Sequence, residues 1–183
     1  MPIVVVGGSG RNVGKTTLVC GLIKALPEFA WTAVKITSHN HGKPIPIWEE
    51  TEAGHATDTA RYLAAGARRA FLVTAADENI QMEAIQAALD LDSIAIFESN
   101  RMVSLLAADL CIGVIGGAGN ENKPSFEQFC GRADAFVIAA DGDFGSFKPP
   151  TSAKLFRLVQ FVSISPEMLD WVRARLNLQR LTP

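Results

Sequence analysis

Along this chain, short runs of β-branched and aliphatic residues alternate with longer stretches whose apolar positions recur every three or four residues. Ile3–Val6 is continuously apolar, the pattern of a central strand buried on both faces. Leu18, Val19, Leu22, Ile23 and Leu26 fall at helical spacing over Lys15–Leu26, and Pro27 stops that helix. Trp31–Thr37 predicts a second strand. Ser38–Glu52 predicts an irregular loop, because Gly42, Pro44 and Pro46 interrupt any regular ladder. Beyond it, the pattern predicts helices over Ala56–Ala65, Glu78–Leu89, Arg101–Ala108, Pro124–Cys130 and Pro166–Leu178. Strands are predicted over Ala70–Thr74, Ser93–Phe97, Leu110–Ile115 and Phe136–Ala139, with one more inside Leu158–Ser163. This alternation predicts an α/β protein with a mostly parallel central sheet and helices on both faces. No repeat, low-complexity tract or linker divides the chain, so residues 1–183 are expected to form one domain.

Composition narrows the classes. With 48% hydrophobic and 20% charged residues, the chain can bury a core and is not expected to be disordered. Its formal net charge of −2 argues against nucleic-acid binding, which favours a basic excess. Arg61, Arg68 and Arg69 come closest to a basic cluster. Cys20, Cys111 and Cys130 are odd in number and widely spaced, so they predict free thiols rather than a disulfide framework or a zinc site. The longest apolar stretch, Met102 to Gly119, is broken by Ser104, Asp109 and glycines and does not predict a membrane span. The chain begins on a strand without a charged leader, which leads us to expect a cytoplasmic protein.

The candidate chemistry starts where the first strand gives way to the first helix. Gly8-Ser9-Gly10-Arg11-Asn12-Val13-Gly14-Lys15-Thr16-Thr17 has the make-up of a Walker A phosphate loop. Glycines let consecutive backbone N–H groups curl around phosphate oxygens. Lys15 can reach the outer phosphates, Thr16 can ligate Mg²⁺, and the helix that follows adds the positive end of its dipole. The strict pattern has its first glycine at position 9, where this chain has Ser9 between Gly8 and Gly10. A Rossmann dinucleotide loop is excluded, because Val13 stands where its third glycine belongs and the Lys-Thr pair has no role there. Gly10 through Thr17 are therefore the candidate nucleotide-binding residues, and the fold expected is that of P-loop NTPases.

Other residues could complete such a site. Phosphoryl chemistry needs an acidic group at the end of a buried strand to hold Mg²⁺. Ser93–Glu98 and Phe136–Asp141 both end in one, and the sequence leaves Glu98 and Asp141 as alternatives. Lys35 lies inside the apolar run Ala33–Ile36, where it must be paired, aimed at a phosphate, or snorkelling from an edge strand. His39 and His41 follow and could face a metal or an anionic substrate. Asp58 opens a helix and could be a second Mg²⁺ ligand or a dipole partner. Arg11 is a candidate arginine finger. Asp143-Phe144-Gly145 imitates a kinase magnesium motif in a chain lacking the other kinase motifs. Asn122-Lys123-Pro124-Ser125 resembles the guanine-reading Asn-Lys-x-Asp with Ser125 in place of its aspartate, leaving GTP and ATP both open.

Taken together, the phosphate loop followed by Thr17-Leu18, and then Val34-Lys35-Ile36-Thr37-Ser38-His39-Asn40-His41, resemble the molybdopterin-guanine dinucleotide biosynthesis protein B (MobB) family. Asp58–Ala67 leading into Phe71-Leu72-Val73, and Ile94–Glu98, are similar to its following segments. The likeness covers about residues 1–100. It departs after Glu98, where Ser99-Asn100-Arg101 replace the family's usual glycine. The resemblance implies a homodimeric GTP-binding protein with weak GTPase activity, which assists nucleotide attachment to molybdopterin by interacting with the transferase. By the same resemblance, Lys15 and Thr16 would hold phosphates and Mg²⁺, and Asp58 and Glu98 would complete the metal side, with Lys15 and Glu98 acting in catalysis. Two other classes remain open: an ATP-dependent small-molecule kinase or ligase, and a nucleotide-responsive binding module without turnover.

Overall fold

The first strand, β1 (Ile3–Gly8), is all aliphatic up to its two terminal glycines and lies deep in a sheet. The computed structural model describes residues 1–38, 46–75, 80–89, 92–116, 124–138, 147–158 and 163–180. The other strands are β2 (Trp31–Thr37), β3 (Ile47–Glu50), β4 (Arg69–Thr74), β5 (Ile94–Glu98), β6 (Leu110–Ile115), β7 (Ala135–Ile138) and β8 (Lys154–Arg157). Among the described residues they form one sheet in the order β3-β4-β2-β5-β1-β6-β7-β8. All neighbours pair in parallel except β3, which runs antiparallel to β4. The helices are α1 (Lys15–Ala25), α2 (Asp58–Ala64), α3 (Met82–Ala88), α4 (Met102–Leu105), α5 (Pro124–Cys130) and α6 (Pro166–Arg180).

The two-residue period of each strand divides the core in two. Val4 and Val6 of β1 pack on one face with Leu18, Leu22, Tyr62 and Val172, from α1, α2 and α6. Val5 points the other way, to Ile85, Val103, Phe126 and Phe129 of α3, α4 and α5. The same period carries Ala33 and Ile96 to the first face and Val34 and Phe97 to the second. One residue beyond Val34 and Phe97, therefore, Lys35 and Glu98 turn toward α1 and α2. Register sets them side by side: Glu98 pairs with Lys35 on one flank and with Val6 on the other. That row lies at the carboxyl ends of the strands, where open α/β sheets place their sites.

Gly7 of β1 and Gly113 of β6 are also register partners, and each receives an aromatic ring. A Cβ on Gly7 would come within 2.6 Å of the Phe129 ring, and one on Gly113 within 2.6 Å of the Phe136 ring. These two strands can have no side chain there because helix α5 and strand β7 lay rings directly on their backbone.

Several sequence expectations are corrected. The stretch expected to be a loop through Glu52 contains β3, an edge strand too short for its alternation to register, held by Glu49 and Arg69 at 2.7 Å. Pro46 lies just outside it and contributes only its carbonyl, which accepts from the Thr74 amide at 2.8 Å. The described part of the third helix starts at Met82, with Ile80 and Gln81 not helical and residues 76–79 outside the description. Helix α4 is a single turn, ending at Leu105. The strand expected inside Leu158–Ser163 falls mostly on residues 159–162, outside the described residues. A strand the pattern did not predict, β8, precedes it at Lys154–Arg157, where only Phe156 points inward. Lys35 is not on an edge, because β2 is flanked by β4 and β5.

Candidate nucleotide site

The loop between β1 and α1 takes its shape from two left-handed residues. Asn12 has φ 56° and Gly14, which caps α1, has φ 101°. Asparagine tolerates this region and glycine has no Cβ to oppose it. Gly14 offers no side-chain acceptor to the first turn of α1, and that turn contains no acidic residue. The amides and dipole at this helix start are thus left for an anion. Lys15 Nζ donates to the Gly10 carbonyl at 2.6 Å, folding the side chain back across the loop.

Ser9, the residue in place of the expected glycine, is accommodated without left-handed backbone. Its amide donates to Val114 O at 3.0 Å and its Oγ accepts from the Gly116 amide at 2.9 Å. It is buried, and both bonds fasten the start of the loop to the end of β6. Asn100 fastens the same place from the other neighbour. Its Oδ1 accepts from the Gly8 amide at 2.7 Å, and its Nδ2 donates to Gly8 O at 3.0 Å and to Ser125 Oγ at 3.4 Å.

A charged cluster lies against the head of α1. Glu98 is 2% exposed, and Thr16 Oγ1 donates to its Oε2 at 2.8 Å. The Tyr62 hydroxyl donates to that same oxygen, and Lys35 Nζ donates to Oε1. Lys35 also pairs with Asp58 at 2.9 Å, and Arg61 reaches Asp58 at 3.4 Å. Burial alone would lower the Lys35 pKa, but Glu98 and Asp58 outweigh it and raise it above its ordinary value. Burial likewise works against the Asp58 carboxylate, yet Lys35, with Thr16 and Arg61, holds its pKa below the usual range. Burial first, then the Glu98 and Asp58 charges, push the Tyr62 phenol well above its ordinary value, so it stands as a donor. The three cysteines are free, and burial pushes each thiol up to about 11.

The loop and the cluster open into one cleft of about 1150 Å³. Gly10, Arg11, Asn12, Gly14, Lys15, Thr16, Thr17, Lys35, Asp58, Arg61 and Glu98 all line it. Arg101 just before α4, Ser104 on it, and Ser125 and Gln128 on α5 also line it. Val13 turns its side chain into the core beside α1 instead. His39, His41, Asp141, the Asp143-Phe144-Gly145 tract, Asn122 and Lys123 lie outside the described residues. Of the two candidate strands, β5 is the one beside β1, while β7 is separated from it by β6.

Among the described residues no group of three His, Cys, Asp or Glu side chains could hold a metal ion alone. That suits Mg²⁺, which typically takes one or two carboxylates and completes its shell with phosphates and water. The donor chemistry fits: hard oxygens of Thr16, Glu98 and Asp58 lie at one place, and Lys35 offsets one of the two carboxylate charges.

Sequence reasoning missed Tyr62, Asn100 and the structural use of Ser9. For Tyr62 a signal existed. It follows Asp58 by four residues on a predicted helix, so both face the same way. Asn100 carried none, because reciprocal bonding to a backbone 92 residues away is visible only once the strands are paired.

No family model matches the chain, and no curated protein matches its sequence. Solved structures do share its fold. HypB from Helicobacter pylori in complex with nickel is similar at TM-score 0.56 and 16% identity, covering 97% of this chain and 86% of that one. LpxK from Aquifex aeolicus, in complex with ATP, is similar at TM-score 0.54 and 17% identity, covering 99% and 68%. A MobB homologue from Bacillus stearothermophilus gives TM-score 0.52 and 13% identity, covering 97% and 99%. The chain has the fold of the P-loop NTPases. Among the described residues no helix is long and apolar enough to cross a membrane.

Proposed function

We propose that the cleft binds a nucleoside triphosphate with Mg²⁺ and hydrolyses it slowly, GTP being the nucleotide and ATP the alternative. The observation that carries this reading is the position of Thr16. Its hydroxyl heads the helix that follows the phosphate loop and is already hydrogen-bonded to a buried carboxylate, 2.8 Å away. On this reading the amides of Gly10–Thr17 and the start of α1 bind the phosphates. Lys15 leaves the Gly10 carbonyl for a phosphate oxygen and stabilises the charge that develops on the transferring group. Thr16, Asp58 and Glu98 would hold Mg²⁺, which supplies charge neutralisation across the outer phosphates. Lys35 and Arg11 add positive charge to the same cleft, and His39 and His41, which lie outside the described residues, stay candidates on the sequence alone. Catalysis by these residues is positioning and charge compensation, which suits weak turnover.

The cellular role we propose follows the MobB resemblance: an accessory protein, cytoplasmic and homodimeric, that assists a molybdopterin nucleotidyltransferase. The likeness to HypB, LpxK and a MobB homologue supports the nucleotide site and leaves this role to experiment. A second reading, phosphoryl transfer to a small molecule, is favoured by the width of the cleft. At about 1150 Å³ it exceeds the usual size of a small-molecule site, about 300–1,000 Å³. Arg101 and Gln128 line the same cleft and would offer polar contacts to an acceptor.

Product analysis with labelled GTP and ATP tests the choice. Free phosphate should appear, and Lys15→Ala should weaken nucleotide binding about tenfold or more while the melting temperature holds. Unchanged affinity in Lys15→Ala would overturn the phosphate-loop assignment. Label appearing on a small acceptor, with no free phosphate, would replace the accessory role with the kinase reading.

A further inference from the structure

Glu98 accepts from three side chains, and they differ in how they can behave once the site is filled. Thr16 and Lys35 both line the cleft and can turn to a ligand. Tyr62 does not line it. Its side chain is 0% exposed, with its ring packed in the core between α1 and the sheet. A phenylalanine would fill that volume equally well, so core packing explains the ring and not the hydroxyl. Buried hydroxyls need a partner, and this one has the carboxylate Oε2.

Helix α2 sets the geometry. Asp58 and Tyr62 are four residues apart on it, so one face delivers Asp58 to Lys35 and Tyr62 to Glu98. The helix is itself fixed at its start, where Thr57 Oγ1 accepts from the Ala60 amide at 3.1 Å. Thr57 and Thr59 also donate to Glu50 of β3, at 3.1 and 3.0 Å. The support of the carboxylate thus runs back to the sheet edge, independent of the phosphate loop.

The geometry points to Tyr62 as the positioning residue of the metal side: its hydroxyl holds the Glu98 carboxylate in place when Thr16 and Lys35 exchange that carboxylate for metal and phosphate. This rests on the Mg²⁺-nucleotide reading above. Partners that orient a metal-binding carboxylate typically change metal affinity 10–100-fold when removed.

The test is Mn²⁺ titration, by electron paramagnetic resonance, of protein saturated with β,γ-imido GTP, with the ATP analogue in parallel. Tyr62→Phe should weaken Mn²⁺ binding about tenfold or more, while affinity for the analogue in EDTA stays within about twofold. The unaltered protein offers a second measurement, because Tyr62 is its single tyrosine. In protein labelled with 3-fluorotyrosine, the lone ¹⁹F resonance should shift when Mg²⁺ joins the bound analogue and stay put when the analogue binds in EDTA. Wild-type Mn²⁺ affinity in Tyr62→Phe, or a resonance indifferent to Mg²⁺, would overturn the role of Tyr62 alone. Absence of Mn²⁺ binding by the wild type would overturn the metal site and this inference with it.

Discussion

Glu98 and Asn100 stand two residues apart at the same strand end, yet they serve the phosphate loop in opposite ways. Asn100 makes neutral, reciprocal bonds to the backbone of Gly8 and a third to Ser125. With Ser9 it fixes where the loop begins, and all these partners belong to the chain itself. Glu98 is bound by side chains, two of which line the cleft, and its environment is charged. A neutral bond between chain groups gains little from exchange with a ligand. A buried carboxylate beside a lysine can trade that cation for another of higher charge. The difference separates a part of the site that sets shape from a part that responds to what is bound.

That division can be broken by substitution. Lys35→Met carries the largest expected effect, because it leaves buried Glu98 and half-buried Asp58 without their shared cation. Removing one member of such a buried pair costs about 3–5 kcal/mol. Urea unfolding should show this loss in the nucleotide-free protein, and added Mg²⁺ should restore part of it. Unaltered stability would mean that the cluster is not a charged unit. Asn100→Ala should cost less, about 1–3 kcal/mol for the Gly8 groups it leaves unpaired. Its nucleotide affinity should fall by one factor in Mg²⁺ and in EDTA alike. A fall confined to Mg²⁺ would erase the distinction between the two regions.

The mildest test is alkaline. The folded pKa of Lys35 is raised, so its contribution is complete below the ordinary 10.5 and lost as pH rises through the folded value. Tyr62 acts in the same direction. Its folded pKa lies well above the ordinary 10.0, so the unfolded chain gives up this proton first and the fold weakens above that pH. The urea midpoint should therefore decline above about pH 10, less steeply in Tyr62→Phe. A steepness that Tyr62→Phe leaves unaltered would show that the buried phenol takes no part in it.

Local signals carried the interior of the fold and faded at its rims. Trp31–Thr37 and Leu110–Ile115 are largely apolar, β-branched-rich runs in interior strands, and their observed limits match the pattern. Among the described residues β3 and β8 are the edge strands, each of four residues beside one neighbour, and leave too short a pattern to read. The site shows the same contrast. Gly10–Thr17 was legible because its chemistry is written in consecutive residues. That β5, which ends in Glu98, and not β7 is the strand beside β1 was not legible, because strand order is decided by packing across the whole sheet. Asp58 and Lys35 were visible as candidates, but their ion pair joins a helix start to a strand 23 residues earlier in the chain.

The facing glycines beneath the loop have a mechanical consequence. With the Phe129 ring against Gly7 and the Phe136 ring against Gly113, β1 and β6 approach the site as a solid anvil. A Cβ on Gly7 would also come within 2.8 Å of Asn100 Oδ1, so even one methyl group would strike ring and clamp together. Movement of the loop toward these rings is opposed by close packing. On the other side of the loop Lys35 joins Asp58 at the start of α2, and that same start is tied through Thr57 and Thr59 to the short outer strand β3.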